Sequence, residues 1–372
     1  MLSWHVARRA LGVFSGAFLA ILASCGSGDD PPPNPLFVST AGADANRGDA
    51  TAPLRTLSRA LEIARDGYTI VVAPGEYRER VTTDRVGRAA RALQILADTD
   101  GRLFPGGSPG AVTVRGAGGP NSEVIKINNS PDTLLSGFVV TGGGGGGIVV
   151  NRSDGVRIQN CVVRENRGEA GDGIRVQSSR GVLLFNNLVV RNSGAGVVLA
   201  GDEGSPAALL VNNTIALNGF VGIRIGSSQA ASPGARLRAN ILYRNGEATT
   251  PARENFSVRT DPPSEAGLDS NFNLVFPPTY VPARVEGPND LGVDPVFARS
   301  SPQEAADFLL RAASPARDRS PNTQIPEDLR LCLQRWSALE SLAVDTGPVD
   351  LGYHLPLTAP HCGVILPPRG DG

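Results

Sequence analysis

The sequence predicts an all-β solenoid, a right-handed parallel β-helix of three sheets, and three observations carry that prediction. One pattern returns in register as Gly147-Ile148-Val149-Val150, Gly173-Ile174-Arg175-Val176, Gly196-Val197-Val198-Leu199 and Gly222-Ile223-Arg224-Ile225, at offsets of 26, 23 and 26. A second apolar column, Ile158, Leu184, Leu210 and Leu237, keeps similar step at 26, 26 and 27. Shifting the same frame back by 23 places Ile127 under Val150, Leu135 under Ile158 and Phe138 under Cys161. The third column is polar: Asn160, Asn186 and Asn212, each followed by Cys161, Asn187 and Asn213, with Asn240 a coil later. A short period of this kind, built from brief apolar runs, marks a solenoid.

Each repeat holds three apolar pieces, for instance Ile148–Val150, Val156–Ile158 and Cys161–Val163, all too short for helices and rich in Val, Ile and Leu. Leucine-rich repeats have a similar length but need a Leu/Asn framework and a helical return, and neither is present. Three strands per turn give three parallel sheets, each strand about 4.8 Å above the one below. Parallel crossovers are right-handed in nearly all cases. Asn suits the tight bend between the second and third strands because it tolerates the left-handed backbone, and stacked Asn amides can bond up a ladder.

From the start of the chain, residues 1–24 read as an export signal: Arg8 and Arg9, then the apolar run Leu11–Leu22. Leu22-Ala23-Ser24-Cys25 resembles the lipobox of bacterial lipoproteins, which implies that Cys25 carries lipid and anchors the chain to a membrane. Gly26 after that Cys implies the outer membrane of a bacterial cell envelope. Residues 25–35, with the run GSGDDPPPNP, form a stiff polar tether.

Residues 36–81 read as a strand, a turn-rich loop, a helix and a strand. Leu57, Ala60, Leu61 and Ala64 fall on one helical face, Gly67 ends the helix, and Thr69–Ala73 is apolar with Pro74-Gly75 as its stop. A solenoid must cover its open end, and this helix is placed to do so. The run FVSTAGADANRGDATAPLRTLSRALEIARDGYTIVVAPGEYRE resembles the N-terminal cap of the pectate-lyase-like β-helix superfamily. The resemblance implies scaffold, not catalysis.

Residues 82–275 are assigned to the helix repeats, with strands at Leu93–Leu96 and Val112–Val114, a loop at Phe104–Gly110, a long insertion at Gly246–Ala266 and an irregular last pair around Asn271–Val275. Residues 276–372 are an irregular C-terminal cap, similar to the tail of many extracellular β-helix proteins. Cys332 and Cys362 in an exported chain point to a disulfide pinning that tail. A zinc site from those cysteines with His354 and His361 is the alternative, although the spacing fits no common pattern. Cys161 lies in a strand and reads as a packed apolar residue.

Composition limits the chemistry. The 45 Gly, 29 Pro and 5% aromatic residues suit many turns between short strands. A net charge of −1 gives no general pull towards nucleic acid. Beyond the leader the only histidines are His354 and His361, both outside the repeats, so a Ser-His-Asp or Cys-His nucleophile on the repeat faces is not expected.

In the first strand of each coil the outward residues are Lys126, Val149, Arg175, Val198 and Arg224, and three positions earlier stand Glu123, Gly146, Asp172, Ala195 and Val221. Glu123-x-x-Lys126 and Asp172-x-x-Arg175 thus share one face, two coils and about 10 Å apart. The six glycines Gly142–Gly147 between them suggest an open cleft for a sugar ring. A polyuronate lyase needs a base and a neutraliser for the substrate carboxylate. Lys126 or Arg175 is the candidate base, Arg175 or Arg224 the neutraliser, and Glu123, Asp172 and Arg224 the binding residues. No cofactor is required, though Glu123 and Asp172 could help hold Ca²⁺. Paired carboxylates at this spacing would instead suit an inverting hydrolase only at the upper end of its range, about 6.5–9.5 Å. The aspartate clusters of calcium pectate lyases, the motifs of polygalacturonases and the alginate-lyase signature are all missing. The expectation is a monomeric surface lipoprotein that binds an acidic polysaccharide and could process it by elimination. The alternative is a non-catalytic structural or adhesive solenoid, since charged side chains facing water on a sheet need no function.

Overall fold

The computed structural model of the chain describes residues 34–84, 93–117, 119–168, 171–201, 203–228, 230–247, 256–356 and 361–362. Residues 1–24, expected to be an export signal, and Cys25, expected to carry lipid, lie outside the described residues. Within them the strands form three parallel sheets of eight, nine and eight strands, a right-handed parallel β-helix. Sheet I takes the first strand of each coil: Val81–Asp84, Glu123–Asn128, Gly146–Asn151, Ile174–Gln177, Val197–Ala200, Ile223–Ile225, Val258–Thr260 and Tyr280–Val281. Sheet II takes the second, such as Arg157–Gln159 and Leu183–Phe185, and sheet III the third, such as Val162–Arg164 and Leu188–Val190.

The register is the one the spacings imply. Ile125, Ile148, Ile174, Val197, Ile223 and Val258 stand one above another. Leu135, Ile158, Leu184, Leu210 and Leu237 stack on sheet II. All are at most 1% exposed, and each contributes about 1.5–3 kcal/mol by leaving water. The glycine that opens each repeat has a steric cause. A Cβ on Gly196 would stand 2.3 Å from an Ile215 methyl carbon and 2.7 Å from the Gly222 carbonyl oxygen, and Gly147, Gly173 and Gly222 are hemmed in alike.

Polar ladders hold the corners. Asn160, Asn186 and Asn212 adopt φ near +53°, the bend expected between sheets II and III. Asn240 does not continue that column, because Ala239 takes the bend in its coil. It belongs to a separate buried stack, Asn187, Asn213, Asn240 and Asn273. In that stack the Oδ1 atoms of Asn213, Asn240 and Asn273 each accept the backbone N–H and side-chain amide of the Asn in the coil before, and Asn187 Oδ1 accepts the Cys161 N–H. A second stack, Asn166, Asn192, Asn218 and Asn245, lines the corner after sheet III. Serines, among them Ser130, Ser153 and Ser179, pass backbone bonds to one another at the third corner.

Helix α1 (Leu57–Ile63) covers the N-terminal end, with Leu57, Ala60 and Ala64 in the core. Thr56 caps it, and the Glu79 carboxylate accepts from the N–H groups of Leu57 and Ser58. The region 246–266 is not wholly an insertion. It supplies Val258–Thr260, which continues sheet I in frame with Ile223–Ile225.

At the far end Asp290 accepts from Ser270, Tyr280 and the backbone of Asn273, closing the last coil. The tail then goes further than a cap and returns along the outside of sheets II and III. Gly352 N–H donates to Ala239 O, Tyr353 N–H to Thr214 Oγ1 and His354 N–H to Asn186 Oδ1. His361 Nδ1 lies 2.9 Å from Ser136 Oγ, and Gln159 donates to Cys362 O. Beneath it a second core joins outward Phe185, Leu188, Val190, Val211 and Tyr243 to Trp336, Phe308, Phe297 and helix α2 (Glu327–Leu333). Cys332 and Cys362 form a disulfide across 30 residues, so neither thiolate is left for zinc. His354 sits between Asp345 and the Gly352 carbonyl, each 3.0 Å away.

Candidate functional site

Sheet I differs from its partners: among the described residues, none of the tail's core comes from it. Its outward column runs Thr82, Lys126, Val149, Arg175, Val198, Arg224, Arg259, each paired by register with the next. Alternation of apolar-in and polar-out is what a strand with one wet face should show. The structure therefore brings Lys126, Arg175 and Arg224 onto one line, at every second coil, about 10 Å apart.

Each cation rests on a carboxylate set deeper than itself. Glu123 accepts from Arg80 at 2.6 Å and lies 3.6 Å from Lys126. Asp172 accepts from Arg175 and, through Oδ1, from the Ala195 N–H at 2.8 Å. Asp261 takes Arg224 at 2.9 Å and Arg259 at 3.2 Å. The Glu123, Asp172 and Asp261 side chains are 12%, 9% and 13% exposed, against 32%, 30% and 34% for Lys126, Arg175 and Arg224. The outermost charge along the column is thus positive. Burial pushes the Glu123 carboxyl up, but its own backbone N–H, Arg80 and Lys126 outweigh this and hold it below the ordinary carboxylate value. Arg80 and Asp261 were not singled out from sequence, since Arg80 precedes the first clear repeat and Asp261 follows a strand in irregular frame.

The glycine run plays a different part from the one expected. Cβ atoms on Gly144 and Gly145 would fall 2.5 Å and 2.4 Å from the carbonyl oxygens of Pro120 and Asn121, and one on Gly168 would fall 1.8 Å from Gly144 O. The run is packed between the turns above and below, with bonds from Gly145 N–H to Ser122 O and from Arg167 N–H to Gly143 O. Its glycines permit close stacking of backbones rather than lining a cleft. The floor between the cations is instead Val149 and Val198, each 8% exposed.

Calcium is not served by Glu123 and Asp172 together. Oxygen ligands stand about 2.3–2.6 Å from Ca²⁺, and two strand steps set these carboxylates too far apart to share an ion. Among the described residues, the acids whose carboxylate oxygens lie within 4.8 Å of one another are Asp318, Asp345 and Asp350, in the tail. Cys161 is fully buried, and burial pushes its thiol up to about 12, which removes it as a nucleophile.

Comparison with solved structures finds similar chains. A pectate lyase, Pel9A, shares 13% identity over 79% of this chain and 93% of its own, with a TM-score of 0.46. Pectin methylesterase PemA from Erwinia chrysanthemi shares 11% identity over 66% of this chain and 79% of its own, TM-score 0.40. A family 28 exopolygalacturonase from Yersinia enterocolitica shares 13% identity over 65% and 59%, TM-score 0.39. No curated protein matches the sequence. Residues 40–252 match the model of a family described as "Protein of unknown function (DUF1565)". That match takes in most of the β-helix and the whole of the Lys126–Arg224 column, and the chain belongs to the DUF1565 family.

Proposed function

We propose that sheet I is a binding face for an acidic polysaccharide, on a lipoprotein held at the outer membrane through Cys25. One observation carries the reading: the sheet left open by the tail bears an in-register line of cations backed by deeper carboxylates. Buried counter-charges hold the cationic groups outward and preordered, so a polyanion meets donors that need little rearrangement. Val149 and Val198 between them offer apolar ground for the faces of sugar rings. In an elimination Arg175 and Arg224 would neutralise the substrate carboxylate through charge-assisted bonds, and Lys126 is the candidate base.

The test is direct. The purified protein is titrated with galacturonan, alginate and hyaluronan, and absorbance of an unsaturated product is followed with and without Ca²⁺. Binding that weakens steeply with salt supports the face, and an absorbance rise adds the lyase activity. Absence of binding across the panel would refute the reading and leave the structural or adhesive solenoid.

A further inference from the structure

We propose that the cation column ends in a pocket that receives the terminus of the glycan, so that the protein holds acidic chains by their ends. This inference rests on the binding reading above and deepens it at the N-terminal end of the column. The pocket, about 380 Å³, is lined by Ser58, Leu61 and Glu62 of helix α1, by Arg80, and by Thr82 and Asp84 of the first sheet I strand. Its size falls within the usual range for small-molecule sites, about 300–1,000 Å³.

Two of those residues belong to both places. Thr82 pairs in register with Lys126, so it is the next outward position of the column. Arg80 shares the Glu123 carboxylate with Lys126. The pocket is therefore continuous with the face and not a separate hollow.

The geometry then changes in a way that suits a chain end. Val81–Asp84 is the last strand of sheet I on this side, and helix α1 packs against it where the next strand would stand. A polymer lying along the column meets the side of α1. The charge changes there too. Beyond Lys126 and Arg80 the wall presents Asp84, which accepts from Asn129, and Glu62, which is ion-paired with Arg59 at 2.9 Å and 65% exposed. Carboxylates at that point repel a further uronate and accept bonds from hydroxyl groups. Leu61 offers an apolar wall for a ring face. A terminal sugar carries the extra free hydroxyl that an internal residue has spent in its glycosidic bond, and a site of acceptors reads that difference.

The experiment counts proteins per chain. Galacturonan, alginate and hyaluronan are each prepared as a short oligomer, a longer oligomer and an unfractionated polymer of known chain number, and titrated calorimetrically into the full protein. For whichever glycan binds, one protein per chain is expected at every length. Thr82→Trp, which fills the pocket from an exposed position, is expected to weaken binding at least tenfold without lowering the melting temperature. Glu62→Lys is expected to raise the number of proteins per long chain above one, because the acidic wall is reversed. A stoichiometry in the unaltered protein that grows with chain length, or unchanged affinity in Thr82→Trp, overturns end binding while leaving the binding face intact. Failure of every glycan to bind overturns both.

Discussion

Replacing Asn213 by Ala tests the physical basis of the coil most sharply. The Asn213 Oδ1 accepts the Asn187 backbone N–H at 2.9 Å and its amide at 3.0 Å. The Asn213 Nδ2 donates to Leu184 O at 2.9 Å, Val211 O at 3.1 Å and Asn240 Oδ1 at 3.0 Å. In the variant the Asn187 side chain keeps its bond to Ile158 O, and Asn240 Oδ1 keeps the backbone N–H of residue 213. The Leu184 carbonyl keeps its ladder bond within sheet II, but the Asn187 backbone N–H loses the partner that the side chain supplied, in a corner where water cannot replace it. For such a buried group the cost is about 1–3 kcal/mol. Urea unfolding followed by circular dichroism should show a lower midpoint at unchanged slope. Asn213→Leu, which refills the space but not the bonds, should fare no better. A loss below about 0.5 kcal/mol in both variants would refute the ladder as a stabilising device.

Other outcomes follow from the same geometry. Arg175→Ala and Arg224→Ala should each weaken glycan binding about tenfold to a hundredfold by removing a charge-assisted contact, with a shallower salt dependence by calorimetry. Cys332→Ser should lower the tail's stability by about 3.5 kcal/mol, the loop-closure value for 30 residues, read from Trp336 fluorescence in urea. Burial, and then the neighbouring Asp345, raise the Asp350 carboxyl to about 6, so the native state holds its proton more tightly than the unfolded chain. Its stabilising contribution is complete below pH about 4 and lost as pH rises through about 6. Asp350→Asn should therefore raise the melting temperature above pH about 7 and change it little below about 4. Gly196→Ala should cost about 1–3 kcal/mol through its clash with Ile215 and Gly222 O, measured by thermal melting.

The inward side of the coil was legible because solenoid neighbours lie one period apart, so Ile148, Ile174 and Ile223 could be aligned from numbers alone. Their neighbours Lys126, Arg175 and Arg224 came with them, since residue alternation in a strand is strict. What escaped were features without period. Val258–Thr260 stands 35 residues beyond its register partner Ile223–Ile225, which breaks the count, and Asp261 escaped with it. Asn166, Asn192 and Asn218 were periodic and could have been found, since each follows by three residues the apolar column Val163, Val189 and Ile215. The tail's course had one available signal. Leu183-Leu184-Phe185 and Leu188-Val189-Val190 are apolar on both faces of their strands, whereas Ile174-Arg175-Val176 alternates. Runs without alternation need a cover on each side, and that cover was the returning tail. The glycine run was misjudged because absent side chains can mean either space or contact, and only neighbouring backbones decide which.

The returning tail has an evolutionary corollary. Most solenoids can gain or lose a repeat, because every unit touches only its two neighbours. Here Gly352, Tyr353, His354 and Cys362 grip successive rungs at Ala239, Thr214, Asn186 and Gln159, like a ruler laid against the stack. Insertion of one extra rung between Gln159 and Ala239 would move those grips out of step with the strap and with its sulfur clasp. The number of rungs along the cationic line, and hence the length of glycan the proposed face would span, is thereby held constant by a segment whose described residues pack on the other two sheets.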